Sequence, residues 1–156
     1  MSWQDEVLYF AYGVNLCRAH MDLWCPDSRP LSRAVLPDHR LVFRTWADVV
    51  PLPGDTVPGA VYEITPKDLA SLDEFQDCPA LYHHVHVRVE TGGGPARLPG
   101  CGGPVEALAY RMNPGRPLAL PDADYLCLLL RGYEDWGLDF GTLEQIDRSA
   151  RSALDF

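Results

Sequence analysis

The sequence predicts a mixed α+β domain, an antiparallel or mixed sheet curled into a small barrel with helices packed outside. Three observations carry this. Apolar patterning runs strands first, one helix midway, strands again and helices last. Tyr82–Glu90 alternates cleanly, with Val85, Val87 and Val89 on one face and Tyr82, His84, His86 and Arg88 on the other. Nothing repeats at a fixed period and no linker divides the chain, so residues 1–156 read as one domain.

The elements follow in order. Val7 to Tyr12 is aromatic and aliphatic and suits a buried strand. Gly13 stops that ladder. Cys17 to Leu23 has room for about two helical turns before Pro26. Asp27 to Pro37, rich in Pro, Ser and Arg, reads as a loop. Arg40 to Trp46 reads as a strand, with Leu41, Phe43 and, at its end, Thr45 on one face. Pro51 to Pro58 reads as a turn-dense connection, and Gly59–Ile64 as the next strand. Thr65-Pro66-Lys67-Asp68 is a helix start: a capping hydroxyl, a proline at the first helical position and an acid in the first turn. Leu69, Leu72 and Phe75 then recur at helical spacing, and the helix runs toward Pro79. After the strand Tyr82–Glu90, Thr91 to Pro104 reads as a Gly- and Pro-rich hairpin connection, and Val105 to Met112 as the returning strand. Pro121-Asp122 opens a helix whose face is Tyr125, Leu126, Leu129, Leu130 and Tyr133, stopped by Gly137. A short helix over Thr142–Ala150 closes the chain.

Charge and cysteine content narrow the function. A formal net charge of -9 argues against nucleic acid or an anionic membrane as partner. No apolar run approaches the roughly 18 residues that span a bilayer, and Met1–Glu6 lacks signal-peptide character. A cytoplasmic protein is expected. Five cysteines, Cys17, Cys25, Cys78, Cys101 and Cys127, include no CxxC pair. Reduced, mostly buried thiols are expected, with neither a structural zinc site nor a disulfide framework.

Chemistry concentrates at the end of the first strand. Gly13 and Asn15 tolerate backbone conformations other residues resist. A strand ending in Gly-x-Asn at the head of a short helix can aim several N–H groups at one point, an anion or oxyanion site. A plain strand-ending turn is the other reading of the same residues.

Tyr9-Phe10-Ala11-Tyr12-Gly13-Val14-Asn15-Leu16 resembles the signature Tyr-Phe-x-Tyr-Gly-Ser-Asn-Leu of the gamma-glutamylcyclotransferase-like proteins. Gly59–Ile64 is similar to that family's second strand. Leu72-Asp73-Glu74-Phe75-Gln76-Asp77-Cys78-Pro79-Ala80-Leu81-Tyr82 matches its Leu-Asp-x-x-Glu-Gly-x-x-x-x-Tyr segment without a gap. Asp124-Tyr125 through Gly132, with Gly137-Leu138, resembles its C-terminal helix. The resemblance implies a single small barrel with flanking helices, and a pocket between the Tyr-Gly-x-Asn loop and the middle helix. It implies no cofactor, a small-molecule substrate and a monomer or homodimer. The implied reaction is intramolecular acyl transfer: the α-amine of a gamma-glutamyl group attacks its own side-chain carbonyl, closes 5-oxoproline and expels an amine. Proximity supplies much of the rate, backbone N–H groups hold the substrate or oxyanion, and a carboxylate moves the proton.

The resemblance assigns substrate binding to Tyr12, Gly13, Val14, Asn15 and Leu16, and pocket positions to Tyr82, Tyr110 and Tyr125. Core packing is the other reading of those three tyrosines. The family's catalytic Glu aligns with Gln76, and its following Gly with Asp77. An amide takes up no proton at useful pH, so Gln76 and Asp77 are the candidate catalytic pair with altered roles. Val14 replaces the usual Ser. Three readings stay open: a neighbour such as Asp77 or Glu74 acts as base, the pocket serves a changed substrate or acyl-transfer step, or binding persists without catalysis. Asp77 points about 100° from Gln76 on a continuing helix, and reaches the pocket only if the helix unwinds. Asp73 reads as structural. His83, His84 and His86 read as a solvated strand face rather than a metal site, and Cys78 is a remote candidate nucleophile. High Pro and Gly with Arg over Lys suggests a GC-rich bacterial genome, where this fold often removes gamma-glutamyl protecting groups in natural-product pathways.

Overall fold

The computed structural model describes residues 7–92, 103–141, 143 and 144. Five strands close into a barrel in the spatial order β1-β3-β2-β4-β5. Strand β1 (Val7–Ala11) is followed by a 3-10 turn over Val14–Leu16 and helix α1 (Arg18–Trp24). Strands β2 (Arg29–Arg44) and β3 (Trp46–Ile64) form one long antiparallel hairpin. Helix α2 (Pro66–Phe75), strands β4 (Tyr82–Thr91) and β5 (Gly103–Met112), and helix α3 (Ala123–Trp136) complete the chain. The barrel closes where Tyr9 of β1 meets Leu108 of β5 in parallel. This is the α+β barrel with flanking helices that the sequence predicts.

Two expected connections are strand instead. Asp27–Pro37 contains the first half of β2, and Pro51–Pro58 is the middle of β3. Pro30 and Pro37 sit beside breaks in the ladder, while Pro58 pairs with Val35 in an unbroken stretch. Register shifts lie between Pro30 and Ser32 and between Pro37 and His39, with Asp38 at φ 57° and Gly54 at φ 89°. A residue without N–H is tolerated at such bulges. Thr45 does not share the strand face of Leu41 and Phe43, because β2 ends at Arg44. It is the turn of the hairpin at φ 73°, and its N–H donates to Ala119 O at 2.9 Å.

Helix α2 starts as expected. Thr65 Oγ1 accepts from Asp68 N and Asp68 Oδ2 accepts from Thr65 N, both at 3.1 Å. Asp68 is buried. Thr65→Ala should therefore cost about 1 kcal/mol of stability, read as a lower urea midpoint at unchanged slope. The helix ends earlier than the sequence suggests: Phe75 is its last residue and Gln76 its C-cap.

Helix α3 is capped by Asp122, which accepts from Tyr125 N at 2.8 Å, and stops at Gly137 with φ 65°. Its buried face is Leu129, Gly132, Tyr133 and Trp136, while Leu130 is exposed. The core joins this face to Tyr9, Phe10, Leu16, Tyr62, Leu72 and Tyr110. Among the described cysteines Cys17 and Cys25 are buried, Cys78 is half-buried and Cys127 is exposed, all as free thiols. No described helix is long and apolar enough to cross a membrane. Met1–Glu6, Cys101 and most of the expected Thr142–Ala150 helix lie outside the described residues.

Candidate functional site: a tyrosine-walled cavity at the barrel end

The turn after β1 is held from three directions. Leu16 N donates to Gly13 O and Cys17 N to Val14 O, each at 3.0 Å. Trp136 Nε1 of α3 donates to Leu16 O at 3.0 Å, and Tyr62 Oη of β3 to Asn15 O at 3.1 Å. The first amides of the turn, those of Val14 and Asn15, have no acceptor inside it.

Beside this turn lies a cavity of about 320 Å³. Tyr12, Gly13, Val14 and Asn15 form one wall, and Gln76 and Asp77 another. Tyr82, Tyr110 and Tyr125 also line it. Leu16 is the expected binding residue that does not. It is fully buried, and both its backbone polar groups are spent on Gly13 and Trp136. Sequence reasoning missed Trp46, Ala47, Phe75 and Leu81 on the wall, and assigned no binding role to Tyr9. Trp46 and Ala47 escaped because nothing in their local pattern says that a hairpin tip reaches back to β1.

The tyrosine hydroxyls build a fixed polar frame. Tyr82 donates to Ala47 O at 2.6 Å, and Tyr125 Oη accepts from Ala47 N at 2.9 Å. Tyr12 donates to Tyr110 O, and Tyr110 donates to Asp73 Oδ1 at 2.6 Å. Tyr9 Oη accepts from Asn15 Nδ2 at 2.9 Å, with the Gln76 amide in reach of the same hydroxyl. Burial raises the pKa of Tyr9, Tyr12, Tyr82 and Tyr110, and pushes Tyr125 up to about 12. The frame is thus uncharged at neutral pH.

The sign of the resulting pH effect is definite. An unfolded tyrosine ionises near its usual value of about 10, while these stay protonated above it. The stability they contribute is full below about pH 10 and is lost as pH rises toward 12 and beyond. At about pH 11 the native protein should show much less tyrosinate absorbance near 295 nm than the urea-unfolded chain. Equal absorbance would sink this account.

Helix α2 ends so that two adjacent residues face the cavity. Gln76 takes φ -85° and ψ 0°, and Asp77 takes φ 50°. Cys78 N then reaches back to Asp73 O at 2.9 Å. This is the unwinding required for Asp77 to reach the cavity. Gln76 is half-buried and Asp77 exposed at the rim. Glu74 is exposed and not on the wall.

His84 and His86 do not share a ligand. His84 Nε2 pairs with Asp73 Oδ1 at 2.5 Å, His83 Nδ1 with Asn113 Oδ1 at 2.7 Å, and His86 is exposed. Asp73, Cys78 and His84 bring three ligand-type atoms within 4.8 Å of one another, so a cation could be held there. The Asp73 carboxylate, however, is already engaged by Tyr110 and His84. Burial and Asp73 both raise the Cys78 pKa, keeping a protonated thiol, the weak nucleophile.

Fold and site together define a small closed-barrel protein with a cavity between a Tyr-Gly-x-Asn turn and a helix end. Residues 9–136 match the family model described as gamma-glutamyl cyclotransferase, AIG2-like. The chain belongs to this family. It is 33% identical over 104 residues to a human gamma-glutamylcyclotransferase, covering 58% of this chain and 55% of that protein. A mouse gamma-glutamylaminecyclotransferase matches at 36% over 45 residues, 29% of this chain and 30% of that one. The chain thus matches about half or less of the length of these curated relatives. A solved gamma-glutamyl cyclotransferase superposes with TM-score 0.77 at 28% identity, over 91% of this chain and 86% of that one.

Proposed function

We propose that the protein is an acyl-transfer enzyme acting on a small amine- or amide-containing metabolite, by lactam formation or amide cleavage. Gln76 serves as a hydrogen-bonding group and Asp77 as the proton acceptor. The observation that carries this reading is the pair on the wall: an amide at the position aligned with the family's Glu, and a carboxylate beside it on a positive-φ residue. A left-handed conformation in a non-glycine residue is disfavoured and clusters at functional sites. The cycle balances simply. A nucleophile adds to the amide carbon, its proton passes to the Asp77 carboxylate, the C–N bond breaks, and the same proton returns to the leaving nitrogen. Amides of the Tyr12–Asn15 wall offer donors for the oxyanion.

The Gln76 amide also favours a second reading, binding without catalysis, because it removes the base the family uses. One comparison separates the two: release of 5-oxoproline from gamma-glutamyl amides by wild type, Gln76→Glu and Asp77→Asn. Slow turnover by wild type, lost in Asp77→Asn, supports the enzyme. Inert wild type with gain of release in Gln76→Glu supports the binding protein.

A further inference from the structure

The strand pair β4–β5 and the end of α2 bring a second cluster together beside the cavity. Tyr110 of β5 stands opposite His84 of β4, and their rings meet edge to face at 5.2 Å. The Tyr110 hydroxyl donates to Asp73 Oδ1 at 2.6 Å, and His84 Nε2 meets the same oxygen at 2.5 Å. The backbone ties Cys78 to Asp73, with Cys78 N donating to Asp73 O at 2.9 Å. One carboxylate oxygen, one thiol sulfur and one imidazole nitrogen thus lie within 4.8 Å of one another. None of Asp73, Cys78 and His84 lines the cavity.

As an ion pair the cluster contributes little. The His84 and Asp73 side chains are each 34% exposed, and a pair so open to water adds almost nothing net. Cys78 beside them is a free, half-buried thiol. A divalent cation makes fuller use of the same atoms. Thiolate with imidazole selects a borderline-soft ion of the zinc class over calcium or magnesium, which take oxygen. Three protein ligands leave a fourth position for water, as an open zinc site does. The support that a ligating carboxylate needs is already built. Tyr110 donates to Asp73 and fixes its orientation, as groups behind metal ligands do. The ion enters between His84 and Asp73, so the exchange gives up only their weak pair.

We propose that Asp73, Cys78 and His84 form a binding site for a zinc-class divalent cation, with water in the fourth position. On binding, the Cys78 S–H bond breaks, the sulfur–metal bond forms and the proton leaves to solvent, with no change of oxidation state. The site meets the cavity through Tyr110, which lines the one and braces the other. No step of the proposed acyl transfer passes through it.

Titration of the reduced, metal-free full chain tests this, with Co²⁺ as spectroscopic probe and Zn²⁺ as competitor. One equivalent of Co²⁺ should produce thiolate-to-cobalt charge-transfer absorption in the near ultraviolet, and Zn²⁺ should abolish it. Cys78→Ser should remove that absorption. Cys78→Ser and His84→Gln should each weaken Zn²⁺ binding by at least about 100-fold, no less than the loss of a supporting partner does. His84→Cys exchanges one ligand for another and should keep tight binding, which separates loss of a ligand from loss of the fold. His86→Gln and Cys127→Ser, both at exposed positions, are controls that should bind as wild type does. Three results would each overturn the proposal: no charge-transfer band at saturating Co²⁺, a band that survives Cys78→Ser or vanishes in Cys127→Ser, and Zn²⁺ affinity unchanged in His84→Gln. A His84→Cys variant that binds no better than His84→Gln would overturn it as well.

Discussion

Asp77→Asn should lower wild-type turnover of a gamma-glutamyl amide by about 10²–10⁴-fold, the usual worth of a positioned proton-transfer group. Asparagine keeps the size and shape of the side chain and tolerates positive φ, so the turn after Phe75 survives and only the basic oxygen is lost. The fold should therefore stay intact, with an unchanged melting temperature, while kcat falls. The partner substitution runs the other way. Gln76→Glu places a carboxylate half-buried near Tyr9, where it can take the proton and pair with the substrate ammonium. It should raise turnover and make Asp77 dispensable, so the double variant should match Gln76→Glu alone. Wild-type activity undiminished by Asp77→Asn would remove Asp77 from the chemistry.

Gly132→Ala should destabilise the protein by about 1–3 kcal/mol through overpacking. A Cβ there would stand 2.5 Å from Leu16 Cβ and 2.7 Å from Cys17 N. Alanine gains about 0.5–1 kcal/mol of helix propensity over glycine, but the obstacle includes backbone, which no rotamer change clears. The overlap wins, and α3 must move off the turn that carries Val14 and Asn15. Each kcal/mol corresponds to roughly 2–4 °C in melting temperature at this size. Arg131→Ala, on the exposed side of the same helix, is the control that should stay near wild type. An unchanged or higher melting temperature in Gly132→Ala would show that α3 and the turn do not touch as described.

The elements that sequence revealed are those with local signatures. The Thr65–Asp68 box, the Gly137 stop and the Tyr82–Glu90 alternation each depend on residues a few positions apart, and each appears in the structure. β2 and β3 were obscured because prolines dominate local reading, whereas bulges that admit them are set by the partner strand. Leu130 illustrates the limit of periodicity: it shares a stripe with Leu126 and Tyr133, yet the stripe is wider than the contact, and Gly132 and Trp136 take its place. At the site, the family resemblance pointed to Tyr12 to Asn15, Gln76 and three tyrosines, and all of these line the cavity. It misplaced Leu16, whose inward packing is decided by α3 more than a hundred residues away.

The parallel meeting of Tyr9 with Leu108 has a consequence in time. β1 is made first, yet its antiparallel partner is the last stretch of β3, at the far end of the β2–β3 hairpin, and its other neighbour, β5, lies in the last third of the chain. Loop closure over such separations is slow, and topologies dominated by distant pairings fold late and together. The strand that carries Tyr9 and leads into Asn15 must wait for almost everything else. A partly folded chain would hold the β2–β3 hairpin without a cavity, so ligand binding reports completion of the barrel and nothing earlier.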